Sequence, residues 1–137
     1  MKDLNNKVAL LTGASSGIGA VIANLLAQEN VTVVGVARSK SGLNNTKSII
    51  ENLGGEFHGI PFDISQTSKL SELKVQVENA IGEVDILINN AGIEEYNYFQ
   101  DYDLEYIEKI ITVNLIAGME LTRQFLPQML DRGGHIV

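Results

Sequence analysis

The sequence predicts an α/β fold built on a doubly wound parallel sheet, and three observations carry the prediction. Apolar runs alternate with amphipathic helical patterns along the whole chain. The first run, residues 8–11, is continuous, as a strand buried on both faces of a parallel sheet requires. Residues 7–37 then read as strand, glycine-rich turn, helix and second strand, the order of a nucleotide-binding βαβ unit.

Each element of that unit has a physical reason. In the turn, residues 12–19, glycines can take positive φ and admit a pyrophosphate close to the backbone. The helix start offers unpaired N–H groups and a positive dipole end to an anion. Ser15 and Ser16 add hydroxyl donors and can cap the helix. Ile18, Val21, Ile22, Leu25 and Leu26 follow at i, i+3, i+4, i+7 and i+8, predicting the stripe that covers the sheet. Residues 31–37 return as the second buried strand.

Beyond it, residues 38–45 are polar and read as a loop, and 46–53 as a short helix stopped by Gly54-Gly55. Residues 57–62 form a third strand, an edge candidate because of His58, Gly59 and Pro61. Residues 65–81 read as a helix with Leu70, Leu73, Val77 and Ile81 on one face, and 84–88 as a fourth strand. Asn89-Asn90-Ala91-Gly92 is the turn at its carboxyl end. Residues 93–102, acidic and aromatic, read as irregular. Residues 104–130 read as one long helix that Pro127 should kink or end, because it lacks an N–H and crowds the carbonyl of Arg123. Residues 135–137 resemble the first part of a fifth strand.

Composition narrows the class. The chain of 137 residues suits one domain, residues 1–137. It is 45% hydrophobic without an apolar run long enough to span a bilayer, and residues 1–7 lack the apolar region of a secretory leader. With no cysteine there is neither a disulfide framework nor thiolate chemistry. The net charge of -7, with ten scattered basic residues, argues against nucleic acid as a partner. Two separated histidines, His58 and His135, make a metal site improbable. A cytoplasmic protein with no membrane partner is the expectation.

Candidate site residues fall on one sheet edge, the carboxyl ends of the strands, where open α/β sheets bind ligands. Gly13, Ser15, Ser16, Gly17, Ile18 and Gly19 form the first group. Arg38 stands nineteen residues after Gly19, about where a carboxylate would otherwise hold a ribose 2′-hydroxyl. A guanidinium there can pair with a 2′-phosphate, which favours NADP(H), with NAD(H) as the other candidate; a solvated loop arginine is the bland alternative. Asp63 and Ile64 follow the third strand, and there Asp63 and Ser65 also suit ordinary helix caps. Asn90, Ala91 and Gly92 bring small residues and amide hydrogen bonding to the same edge. Asn114 lies inside the long helix, where a partly buried asparagine needs partners.

Thr12 to Gly19, in the pattern T-G-x-x-x-G-x-G, together with Asn89-Asn90-Ala91-Gly92, resembles the short-chain dehydrogenase/reductase family. The resemblance spans essentially the whole chain and implies a Rossmann-type fold, truncated near the start of the fifth strand. It implies an oxidoreductase that moves hydride between a nicotinamide and a carbonyl or secondary alcohol, as a homo-oligomer, dimer or tetramer, packed partly through the long helix. It places Asp63 beside the adenine. It also makes Asn114, in Val113-Asn114-Leu115, the asparagine of the catalytic tetrad, which holds a water of the proton relay. The family's serine and Tyr-x-x-x-Lys are absent: Tyr96, Tyr98, Tyr102 and Tyr106 have Gln100, Tyr102, Tyr106 and Ile110 four residues on.

The chain as written is therefore expected to bind cofactor without turnover. Its fourth strand is expected to become an edge, and its long helix to expose an apolar stripe. A non-catalytic dinucleotide-binding sensor, or a purely structural α/β module, are the alternatives. Glu94, Glu95, Tyr96, Tyr98 and Phe99 either line a pocket mouth or form an acidic surface loop.

Overall fold

The computed structural model describes residues 4–137, so the leader reading of residues 1–7 lies partly outside the described residues. Five parallel strands form one sheet: β1 (Val8–Thr12), β2 (Thr32–Ala37), β3 (Phe57–Pro61), β4 (Ile86–Ile88) and β5 (His135–Ile136). Their order is β3-β2-β1-β4-β5. The chain thus winds outward from β1 in one direction, then crosses back and winds in the other. The point of reversal lies between β1 and β4, where ligands of such sheets bind.

Helices cover both faces. On one, α1 (Gly17–Gln28) and α2 (Lys40–Asn52) pack over Ala9, Leu11, Val33 and Phe57. On the other, α3 (Leu70–Ile81) and α5 (Ala117–Arg132) pack over Leu10, Val34, Val36 and Leu87. Successive strand residues point to opposite faces, which is why β1 and β2 are apolar throughout. β3 is an edge as expected, and Gly35 on β2 leaves the space that the buried Phe57 ring fills: a Cβ on Gly35 would lie 2.3 Å from that ring.

Several expectations are corrected. The face of α1 against the sheet is not the Ile18–Val21–Leu25 stripe, whose side chains are 75%, 58% and 55% exposed. The buried positions are Gly19, Ala23 and Ala27, with Ile22 and Leu26 at the margin. Small residues win because α1 approaches so closely that a Cβ on Gly19 would lie 2.1 Å from the carbonyl oxygen of Gly13. Ser16 stands at the N-cap of α1 but makes no side-chain cap bond there.

The polar stretch 38–45 is mostly helix. The Ser39 hydroxyl accepts from the Gly42 N–H at 3.0 Å and starts α2 at Lys40. Gly42 is a close-approach residue rather than a loop glycine, since a Cβ there would meet Ser15 at 2.8 Å. Residues 65–81 are not one helix: α3 begins at Leu70 behind a 3₁₀ turn, Thr67–Lys69, although its predicted face holds. Asp63 accordingly closes a turn, accepting from the Ser65 N–H at 3.0 Å, and does not cap a helix.

The long helix divides into α4 (Leu104–Ile111), a π-helical segment (Thr112–Ile116) and α5. Pro127 does not end it; α5 runs on to Arg132 and stops at Gly133, φ +77°. Nor is β4 an edge, because residues 135–137 suffice to pair with it: His135 N–H donates to the Asp85 carbonyl and Val137 N–H to that of Leu87. The expected apolar stripe is present, with Leu115, Met119 and Leu130 all more than half exposed. Among the described residues, no helix is long and apolar enough to cross a membrane.

Candidate functional site

The carboxyl ends of β1, β2, β3 and β4 open into one cavity of about 1190 Å³. That exceeds a usual small-ligand pocket and suits an extended molecule. Of the residues singled out above, Gly13, Ser15, Ser16, Ile18, Gly19, Arg38, Asp63, Ile64, Asn90, Ala91, Gly92 and Asn114 line it. Gly17 does not, yet at φ +53° it shapes the turn.

The floor of the cavity is a seam between the two motifs. The Thr12 hydroxyl, 1% exposed, donates to the Ile88 carbonyl at 3.3 Å and accepts from the N–H groups of Asn90 and Ala91 at 3.1 and 3.0 Å. The Asn90 side-chain amide donates back to the Thr12 carbonyl at 2.9 Å. Gly13, φ +73°, lies so near this amide that a Cβ would come within 2.8 Å of it. Both loops are thereby fixed before any ligand arrives. Thr12 and Asn89 are residues that the sequence reading did not place in the site. The signal for Thr12 was a hydroxyl ending a buried strand opposite an asparagine turn. Asn89 ties the β4 end to α5 through a 3.3 Å bond from its side-chain amide to the Thr122 hydroxyl.

A second support lies behind the turn. The Thr46 hydroxyl, buried on α2, donates to the Ala14 carbonyl at 3.0 Å, so α2 braces the glycine turn. Above it, the first turn of α1 faces the cavity without a side-chain cap. Its backbone N–H groups and the serines beside them suit an anion. Arg38 is exposed on the rim at the end of β2, with no ion pair to any described residue.

Asn114 sits in the π-helical segment with its side chain occupied. Its Oδ1 accepts from the Ile93 N–H at 2.8 Å and its Nδ2 donates to the Ile93 carbonyl at 3.0 Å. It is exposed, not partly buried, and it clamps the loop that leaves β4. Beyond Ile93, Glu94, Glu95 and Tyr96 line the mouth, whereas Tyr98 and Phe99 stand outside it. Tyr102 donates to the Glu95 carbonyl and stacks on Tyr106 with ring centres 5.2 Å apart. Among the described residues, no group of His, Asp and Glu side chains is arranged to hold a metal ion.

Comparison with known proteins agrees with this architecture. Residues 7–137 match the model of the short chain dehydrogenase family. The chain is 50% identical to a ketoacyl reductase, HetN, of a Nostoc strain, over all of this chain and 48% of that protein. It is 38% identical to a fatty acyl-CoA reductase of Mycobacterium tuberculosis, over 98% of this chain and 47% of that one. The chain thus spans about half the length of these relatives. A metagenomic short-chain oxidoreductase solved in complex with NADP superposes with a TM-score of 0.92 at 34% identity, covering 98% of this chain and 62% of that one. L-sorbose reductase of Gluconobacter frateurii, solved with NADPH and L-sorbose, gives 0.89 at 30% identity over 98% and 52%. With the glycine turn, the Asn-Asn-Ala-Gly turn and the reversal point in these positions, the chain belongs to the short-chain dehydrogenase/reductase family of oxidoreductases.

Proposed function

We propose that the cavity holds NADP(H) in preference to NAD(H), and that it is the cofactor half of an oxidoreductase that moves hydride between the nicotinamide and a carbonyl or secondary alcohol. The observation that carries the preference is Arg38: an exposed guanidinium on the rim at the end of β2, without a carboxylate partner among the described residues. It is disposed to pair with a 2′-phosphate, whereas a carboxylate at that place would repel one.

The residues suit a dinucleotide. Gly13 and Gly19 keep the turn free of side chains, the uncapped start of α1 would receive the pyrophosphate, and Asp63 and Ile64 would hold the adenine end. Asn90, Ala91 and Gly92 line the far side at the end of β4. The bound nicotinamide would supply the hydride chemistry, and the protein the positioning and proton transfer. In this reading Asn114 acts from the π-helical segment, its side chain holding Ile93 and with it the wall of the substrate end. Two of the solved relatives carry NADP or NADPH, which supports the cofactor class.

The 137 residues contain no Tyr-x-x-x-Lys, so they are expected to bind cofactor without turnover. Loss of a positioned proton donor alone costs ~10²–10⁴-fold in rate. The exposed row Ile111, Leu115, Met119, Leu126 and Leu130 along α4 to α5 supports assembly as a homo-oligomer, dimer or tetramer.

Titration with NADPH and NADH, followed by nicotinamide fluorescence, tests the reading beside an Arg38→Ala variant. Tighter NADPH binding that the variant loses is the expected result. Equal or tighter NADH binding would overturn the preference. No binding by a chain that is folded by circular dichroism would overturn the cofactor assignment.

A further inference from the structure

Gly42 is where α2 meets the glycine turn. A Cβ there would lie 2.8 Å from both the Cβ and the carbonyl oxygen of Ser15, and 3.2 Å from the Ser39 hydroxyl. One turn further on the same face of α2, Thr46 is buried, and its hydroxyl donates to the Ala14 carbonyl at 3.0 Å. That hydroxyl also lies 3.2 Å from the Gly42 carbonyl, which the helical ladder satisfies through the N–H of residue 46. Ala14 is fully buried, and its carbonyl has no other donor among the described residues. A buried carbonyl needs one, so Thr46 holds the turn against α2.

The contact brings together groups from two elements. On the α2 side, Arg38 and Ser39 line the cavity, and the first turn of α2 carries no acidic side chain. The Ser39 hydroxyl accepts from the Gly42 N–H, so its own hydrogen is left to donate, to Ser41 Oγ at 3.2 Å or to an anion. On the turn side, Ser15 lines the cavity, and its N–H has no acceptor among the described residues. The rest of the turn has its own supports, with Gly19 against Gly13 and both against Asn90.

We propose that Gly42 and Thr46 are positioning residues for cofactor selection. They seat the start of α2 on the turn, so that Arg38 and Ser39 from one side and Ser15 from the other close on one 2′-phosphate. This rests on the cofactor reading above. Without the Thr46 hydroxyl the Ala14 carbonyl is buried and unpaired, and the relief is for α2 to lift off the turn. That movement parts the two halves of the phosphate site. A dinucleotide lacking the 2′-phosphate depends instead on the glycines and the start of α1, which keep their supports.

Fluorescence titration with NADPH and with NADH tests this on the wild-type chain and on Thr46→Val, Thr46→Ser, Gly42→Ala and Arg38→Ala. Thr46→Val keeps the shape and removes the donor; it should weaken NADPH roughly three- to tenfold and NADH less than about twofold. Thr46→Ser, which restores the hydroxyl, should bind NADPH within about twofold of wild type. Gly42→Ala, whose methyl meets the Ser15 backbone, should weaken NADPH at least as much as Thr46→Val and again spare NADH. In an Arg38→Ala background, Thr46→Val should cost NADPH less than about twofold, because the phosphate has already lost its main partner. A role in the fold alone would move both cofactors together, so an equal loss for NADPH and NADH overturns the proposal. An unchanged NADPH affinity overturns it too, as does a Thr46→Val effect that persists undiminished without Arg38. Should Thr46→Val not fold by circular dichroism, the ratio of the two affinities is read from Gly42→Ala. A wild-type chain that binds both cofactors equally sinks the NADP(H) reading and this one with it. A wild-type preference that Arg38→Ala abolishes and Thr46→Val leaves intact sinks this one only.

Discussion

The two loops at the carboxyl edge are held in opposite ways. The glycine turn after β1 is wedged on its inner side: Gly19 against Gly13, Gly13 against Asn90, Ser15 against Gly42, and Thr46 bonded to Ala14. The loop after β4 is stitched at its root by Thr12 and then held by side-chain bonds from Asn114 to Ile93 and from Tyr102 to the Glu95 carbonyl; from Glu94 to Gln100 every residue is exposed. A part that every ligand of the class must meet is built from backbone and steric contact, which admit no variation. On the proposed reading, the part that would meet the substrate is left to a few side-chain bonds at the surface, where change is cheap.

Substitutions can break that contrast. The largest effect is expected for Gly19→Ala: its new methyl would overlap the Gly13 carbonyl, which is backbone and cannot step aside. A loss of about 3 kcal/mol or more in thermal unfolding should accompany loss of NADPH binding. Thr12→Val keeps the shape but strips the partner from the N–H groups of Asn90 and Ala91, and should cost about 2–3 kcal/mol by denaturant unfolding. Gly17→Ala sharpens the comparison. Its Cβ would meet open space, so only the positive φ opposes it, at about 1–2 kcal/mol. If it proves as damaging as Gly19→Ala, steric closure is not what holds the turn.

At the other loop Asn114→Ala should cost about 1 kcal/mol or less, because water can replace bonds at an exposed site. Its signature should instead be faster hydrogen exchange of the Ile93 amide, with that of Ala91 unchanged. The smallest effect lies on α5. Hydrogen bonds from Arg123 and then Gln124 lower the Glu120 carboxyl to about 2. A depressed folded pKa stabilises above the unfolded value, near 4.5, and that contribution fades as pH falls through about 2. Arg123→Ala should flatten this part of the pH–stability curve, a minor change because the pair is at the surface.

What could be read from the sequence divides along the same line. The strands of the sheet, the edge position of β3, the face of α3 and the two turn motifs follow from short-range patterns of apolar and glycine residues. The face of α1 did not, because hydrophobic spacing marks Ile18, Val21 and Leu25 while the helix is seated by Gly19, Ala23 and Ala27. Close approach rewards the absence of a side chain, which a hydrophobicity pattern does not register. Gly42 was missed for the same reason: it falls in a stretch that reads as a polar loop, yet it lets α2 lie against Ser15. Pro127 lies where α5 tolerates the lost bond. Asp63 shows how a polar residue after a strand can close a turn when a cap was expected. Of the residues singled out for the site, all but Gly17 line the cavity. The bonds that lock them, from Thr12 and Asn114, needed partners 78 and 21 positions away.

The π-helical segment takes up one residue of the chain without turning the helix that follows it. A π turn accommodates an extra residue, and each residue of an ordinary helix advances its facing by about 100°. Removing one residue between 112 and 116 should therefore let the segment relax into ordinary helix with Leu121, Phe125 and Met129 still in the core, while Asn114 loses its hold on Ile93. The same deletion at 118–120, in the regular helix of α5, has no such slack and should turn those three residues out of the core together. Length is thus negotiable in the one stretch that carries the clamp and fixed in the stretch beside it.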